Sequence, residues 1–178
     1  MLCCLLLIGL SLTLVFGARA QQAAAVLQVP ANPSMHPAPQ QPIEYSHNTH
    51  VALGLTCETC HTSTAPDALM GYPQTEMCMG CHTTIGLDLP GIMRLADYHA
   101  SDEQVPWVRV YEVLPGVTWN HQPHVAAGVD CTACHGDMAL TNATAMTTSV
   151  TSMASCISCH QAYEADTACA LCHAWPAE

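Results

Sequence analysis

Five Cys-x-x-Cys-His motifs dictate what this chain can fold into: Cys57-Cys60-His61, Cys78-Cys81-His82, Cys131-Cys134-His135, Cys156-Cys159-His160 and Cys169-Cys172-His173. They use ten of the twelve cysteines and leave only Cys3 and Cys4. On a helical turn, residues three and four apart share a face, so two thiols can form thioethers with one porphyrin while the following His reaches the iron. This is the attachment pattern of c-type haem. Zinc binding and thiol redox chemistry also use Cys-x-x-Cys. Neither calls for a His directly after the second Cys five times over.

Two of the motifs end a repeated stretch, HNTHVALGLTCETCH at 47–61 and HQPHVAAGVDCTACH at 121–135. Each copy is followed by a further motif, at Cys78 and at Cys156, and a fifth is added at Cys169. The expectation is two related halves plus a C-terminal haem. Five six-coordinate irons need five more axial ligands. His47, His50, His121 and His124 are the first candidates, because each pair stands the same seven residues ahead of a Cys in both repeats. Histidines three apart on a helix share a face yet spread enough to serve two different haems. His99 is the candidate fifth ligand, while His36, inside a Pro-rich stretch, is read as an ordinary residue. Methionine is the competing ligand and raises haem potential relative to His. Met77, Met79, Met93, Met138, Met146 and Met153 lie near the motifs; most are read as apolar gap-fillers, and one of them as ligand stays an open alternative.

The chain holds a single Phe and no long periodic apolar segment, so the porphyrins themselves must make most of the core. The predicted fold class is mostly irregular with short α-helices, a multihaem cytochrome c built around five c-type haems, and without haem no stable fold is expected. Alternation from Trp107 to Val113 is partly strand-like. There is no Lys, and beyond residue 20 only Arg94 and Arg109 oppose fourteen acidic side chains. Nucleic-acid binding is thereby excluded, since it needs a basic surface. A negative surface steers a cationic redox partner or simply keeps the protein soluble.

Three segments are expected. Residues 1–20 are apolar from Leu2 to Phe16 and end Ala18-Arg19-Ala20, which resembles a signal-peptidase site but lacks the usual positive residues before the apolar run. Covalent haem attachment follows export, so the stretch is read as a membrane anchor or signal segment, with a retained N-terminal transmembrane helix as the expectation. Residues 21–43 form a Pro-rich linker, and 44–178 the pentahaem domain.

The segments YPQTEMCMGCH (72–82), VPWVRVYEVLPGVTWNHQPHVAAGVDCTACHG (105–136) and SMASCISCH (152–160) resemble the pentahaem cytochrome subunit of alternative complex III. That bacterial membrane assembly oxidises quinol and passes electrons to a periplasmic acceptor. The resemblance runs over about residues 45–160 and is most specific at Pro-Trp-Val-Arg-Val. It implies haem at all five motifs and axial His at 47, 50, 121 and 124. It also implies packing against an iron–sulfur subunit beside polytopic quinone-binding membrane subunits. A periplasmic cytochrome c or copper protein would be the acceptor, and the haem domain would face the periplasm from the inner membrane. Where family members often have His after Arg-Val, this chain has Tyr111, which leaves the fifth axial ligand between His99 and a Met.

The expected function is therefore electron transfer rather than bond chemistry, within a respiratory or photosynthetic quinol-oxidising complex. A stand-alone shuttle or filament cytochrome is the first alternative. A nitrite- or sulfite-type reductase would need an open iron and cations to receive an anion, and the composition counts against it. A four-haem anchored quinol dehydrogenase fits the length but not the His-x-x-His repeats. No residue cluster reads as a quinone pocket.

Overall fold

The computed structural model describes residues 29–34, 37–62 and 69–174. The described residues form short helices joined by irregular chain: α1 (His47–Ala52), α2 (Cys57–Cys60), α3 (Thr75–His82), α4 (Pro90–Ala100), α5 (Gln122–Ala126), α6 (Cys131–His135), a 3₁₀ turn (Met138–Leu140), α7 (Met153–Ala162) and α8 (Cys169–Cys172). Each Cys-x-x-Cys lies on one of them, the helical turn that the motif chemistry requires. The expected transmembrane helix and His36 fall outside the described residues, and among the described residues no helix is long and apolar enough to cross a membrane.

The two repeats fold alike. In each, a short helix carries the His pair, with His121 as the N-cap of α5, and is followed by a glycine with positive φ, Gly54 at 87° and Gly128 at 80°. The turn is closed by the same two bonds, Gly54 N to Val51 O and Leu55 N to His50 O in one copy, Gly128 N to Val125 O and Val129 N to His124 O in the other. A left-handed residue after a helix C-terminus is the position where glycine carries no Cβ penalty. The motif helix starts three residues later in both copies, capped by Asp130 through Thr132 N in the second.

The strand-like alternation does not become a strand. Among the described residues pairing reduces to two isolated antiparallel bridges, Ala31 with Thr148 and Val117 with His173. The extended segment instead has both backbone groups of Val108 bonded by the Gln41 side chain, each at 2.9 Å. Residues 29–34 of the Pro-rich stretch lie along the second half, with Val29 N bonded to Ala133 O and Asn32 N to Thr147 O.

The apolar core is small: Ile43, Leu95 and Val105 are buried, with Cys78, Met79, Ile92, Tyr98 and Trp107 packed around them. Beside the motifs, apolar side chains stand exposed instead, among them Leu53, Leu55, Met77, Met153 and Leu171. Among the described residues this core is small for their number. Exposed apolar groups next to every attachment helix are the surface a flat apolar prosthetic group would cover.

Candidate haem sites

Four ring pairs define the sites. His47 faces His61 with ring centroids 6.3 Å apart, His50 faces His82 at 6.2 Å, His121 faces His135 at 6.3 Å and His124 faces His160 at 6.1 Å. A metal–imidazole bond of about 2.0–2.1 Å on each side, with roughly 1.1 Å from ring centre to nitrogen, sets two rings on opposite faces of one metal about 6.2–6.4 Å apart. Ordinary aromatic pairs spread over about 4.5–7 Å. Four pairs within 0.2 Å of one another, each joining a repeat histidine to a motif histidine, fit a bound iron far better than casual packing. The interplanar angles repeat as well: 16° and 19° in the first pair of each half, 59° and 53° in the second.

The outer ring nitrogens explain how the rings are aimed. Nδ1 of His50, His61, His82, His124 and His160 bonds to the backbone carbonyls of Ser46, Gly71, Ile85, Asn120 and Asp166, at 2.6 to 3.0 Å. His47 Nδ1 lies 3.0 Å from Thr144 Oγ1. An occupied Nδ1 leaves Nε2 as the ligating atom, the arrangement that orients a metal-bound imidazole and raises its basicity. An aromatic residue two positions ahead of each His pair holds both rings. Tyr45 meets His47 edge-on at 4.9 Å and stacks on His50 at 4.5 Å; Trp119 does the same to His121 at 4.3 Å and His124 at 5.5 Å. The repeated motif gives no hint of these two aromatics, because Tyr and Trp differ and stand outside it.

The motifs also lie against one another in a definite order. The Cys131 thiol is pushed up to about 11 by burial, then by the charge of Cys57 and a hydrogen bond with it. Burial and then Cys60 raise Cys78. For Cys134 the causes are burial, then Cys159 and Cys156; for Cys156, burial and then Cys172. Cys57 of the first motif thus meets Cys131 of the third, while Cys60 lies near Cys78, Cys134 near Cys156 and Cys159, and Cys156 near Cys172. Burial, then the charge of His61, lowers His135 across the same junction. Backbone bonds tie the last motif to the run-in of the second repeat, Thr118 N to Cys172 O at 2.7 Å and Ala174 N to Gly116 O.

His99 sits on α4 with Nδ1 3.3 Å from Thr75 Oγ1; among the described residues its ring is paired with no motif histidine. Of the methionines, Met79 packs against the core, Met77, Met93 and Met153 are exposed, and Met146 Sδ accepts from Thr151 Oγ1. Tyr111 meets His135 edge-on at 4.8 Å and donates or accepts at Thr147 Oγ1. Among the described residues no three or more His, Cys, Asp or Glu converge as they would around a zinc ion.

Residues 117–174 match the family described as cytochrome c7 and related cytochrome c. The match begins just ahead of the second repeat and takes in its His pair and the last three motifs. It supports a multihaem electron-transfer cytochrome that binds c-type haem. No curated protein matches the chain.

Proposed function

We propose that this chain is an electron-transfer subunit that relays electrons through five covalently attached c-type haems, toward a periplasmic acceptor, within a membrane-bound quinol-oxidising complex. The observation that carries the haem reading is the set of four His–His pairs at one spacing. Each haem, when bound, supplies a one-electron iron couple. The chain attaches it through Cys57 and Cys60, Cys78 and Cys81, Cys131 and Cys134, Cys156 and Cys159, or Cys169 and Cys172, and holds it with the His that follows.

His47 would join His61 in holding one haem, His50 would join His82, His121 would join His135 and His124 would join His160. Because each His-x-x-His pair is carried on one short helix, α1 or α5 with its flanking residue, the two sites of each half are tied to one another. The order along the wire differs from the order in the chain: second motif, first, third, fourth, fifth. Its support is the hydrogen bond between Cys57 and Cys131 at the middle and the proximity of Cys156 to Cys172 at the end.

The membrane setting, the iron–sulfur and polytopic quinone-binding partners, and the cytochrome c or copper acceptor rest on the resemblance of residues 45–160 to the alternative complex III subunit. Purification from native membranes tests both levels. Five haems by pyridine haemochrome, those of the four paired-histidine sites low-spin by low-temperature EPR, and all co-eluting with polytopic subunits, is the expected result. A stoichiometric high-spin haem that shifts with nitrite or cyanide would replace the wire by a reductase, and a cytochrome that elutes alone would replace the complex by a shuttle.

A further inference from the structure

The extended segment from Trp107 to Tyr111 crosses the junction between the two halves. Gln41 takes both backbone groups of Val108, and alternate side chains of an extended chain share a face. Trp107, Arg109 and Tyr111 accordingly turn to the ligand rings. Trp107 contacts Tyr45 and Tyr72 at 6.1 and 6.3 Å; Tyr111 meets His135. Between them the Arg109 guanidinium lies 5.2 Å over the Tyr72 ring, whose edge faces His61 at 6.4 Å. Tyr72 follows Gly71, the residue whose carbonyl holds His61 Nδ1.

Arg109 is half-buried, and no carboxylate among the described residues pairs with it. In a chain with fourteen acidic groups and two arginines beyond residue 20, an unpaired, half-buried guanidinium is a costly arrangement unless an anion faces it. A second observation lies at the same place. His121 Nδ1 is the buried side-chain polar atom that finds no hydrogen-bond partner among the described residues, whereas its counterpart in the first repeat, His47, has Thr144. A ligand imidazole without that bond is less basic and stabilises the oxidised iron less.

Resting on the haem reading above, we infer that Arg109 is a positioning residue for the two inner haems, those of His47–His61 and His121–His135. Its charge raises their reduction potentials above those of the His50–His82 and His124–His160 haems, most of all at His121. A fixed positive charge disfavours the extra positive charge of the oxidised iron, and the stacked Tyr72 fixes where that charge stands. The propionates of the inner haems are the anions it would meet.

The test is EPR-monitored potentiometry of the full-length, haem-loaded protein beside Arg109→Gln and Arg109→Lys, with the haem count and circular dichroism of each. Near-parallel imidazoles give rhombic low-spin signals and strongly tilted ones give highly anisotropic signals, so the inner and outer pairs are read separately. In Arg109→Gln the rhombic signals are expected to become harder to reduce by roughly tenfold, about 59 mV for a one-electron couple, with the anisotropic signals unmoved. Arg109→Lys keeps the charge and is expected to stay near the parent. Rhombic signals that do not move in a fully loaded Arg109→Gln, or all signals moving together, overturn the role of Arg109 alone. If Gln impairs loading, lowered rhombic potentials in Arg109→Lys do so. A parent protein short of five haems, or without the two signal classes, overturns the haem reading first.

Discussion

A histidine becomes a dependable axial ligand when its other nitrogen is held, and here the backbone does the holding in five of the rings. His50 shows the logic in one residue: Nδ1 bonds to Ser46 O, Tyr45 stacks on one face, and Nε2 is left for the His82 site. Replacing it by Ala should turn that one haem high-spin while Cys78 and Cys81 keep it attached. EPR together with the intact mass checks this; an unchanged low-spin count would contradict the His50–His82 pairing. Burial first, then the charges of His135, His124, Arg109 and His61, push the free His121 imidazole down to about 4. Burial also lowers His47 and His135. Neutral imidazole is the form that binds a metal, so the fold holds these rings in the ligating state.

At the scale of the element, the functional unit is the helix carrying two histidines, the glycine turn and the motif helix behind it. Helices of four to six residues are too short to stand by themselves, so the turn decides where the motif points. Gly54→Ala and Gly128→Ala should each cost about 1–2 kcal/mol, the penalty of placing a Cβ in the left-handed region. Nothing lies within 4 Å of the added Cβ at either site, so no clash contributes. Thermal unfolding of the loaded protein would show the loss with the haem count unchanged. This unit was legible in the sequence as the fifteen-residue repeat, glycine included, because both copies need the same backbone to bring the same ligands together. The aromatic braces were not, since any large flat ring ahead of the His pair serves. The strand expectation failed at Trp107–Val113 for a related reason: alternation records which face of an extended segment is covered, and here Tyr and His rings cover it rather than a neighbouring strand. The path of residues 29–34 along the second half was hidden too, because backbone bonds such as Asn32 N to Thr147 O leave no trace in side-chain pattern.

Across the whole molecule, duplication explains why the proposed wire would run out of chain order. The two halves meet at equivalent places, Cys57 against Cys131 and His61 near His135, so the first haem of each half would lie inside and the second outside. On the proposed order the first motif stands near the middle of the wire and Cys78 at one end, and the chain returns through α4 and the extended segment to start the second half. Helix α1 crosses the junction to meet the 3₁₀ turn of the second half, with Asn48 N bonded to Thr141 O and Ser46 Oγ to Asn142 Oδ1. A double substitution, Cys57→Ala with Cys60→Ala, removes one attachment site and separates the two possible orders. If the haems follow chain order, the Cys57 haem is terminal, and electrons delivered at Cys78 still reach Cys131 and beyond. In the order read from the contacts, the same change cuts the wire at its centre. The Cys78 haem should then reduce and reoxidise apart from the other three, which flash reduction at low ionic strength can follow. A haem count of four, with the anisotropic signals retained, establishes that only the intended site has gone. Undiminished transfer between the Cys78 haem and the C-terminal group would exclude the contact-derived order.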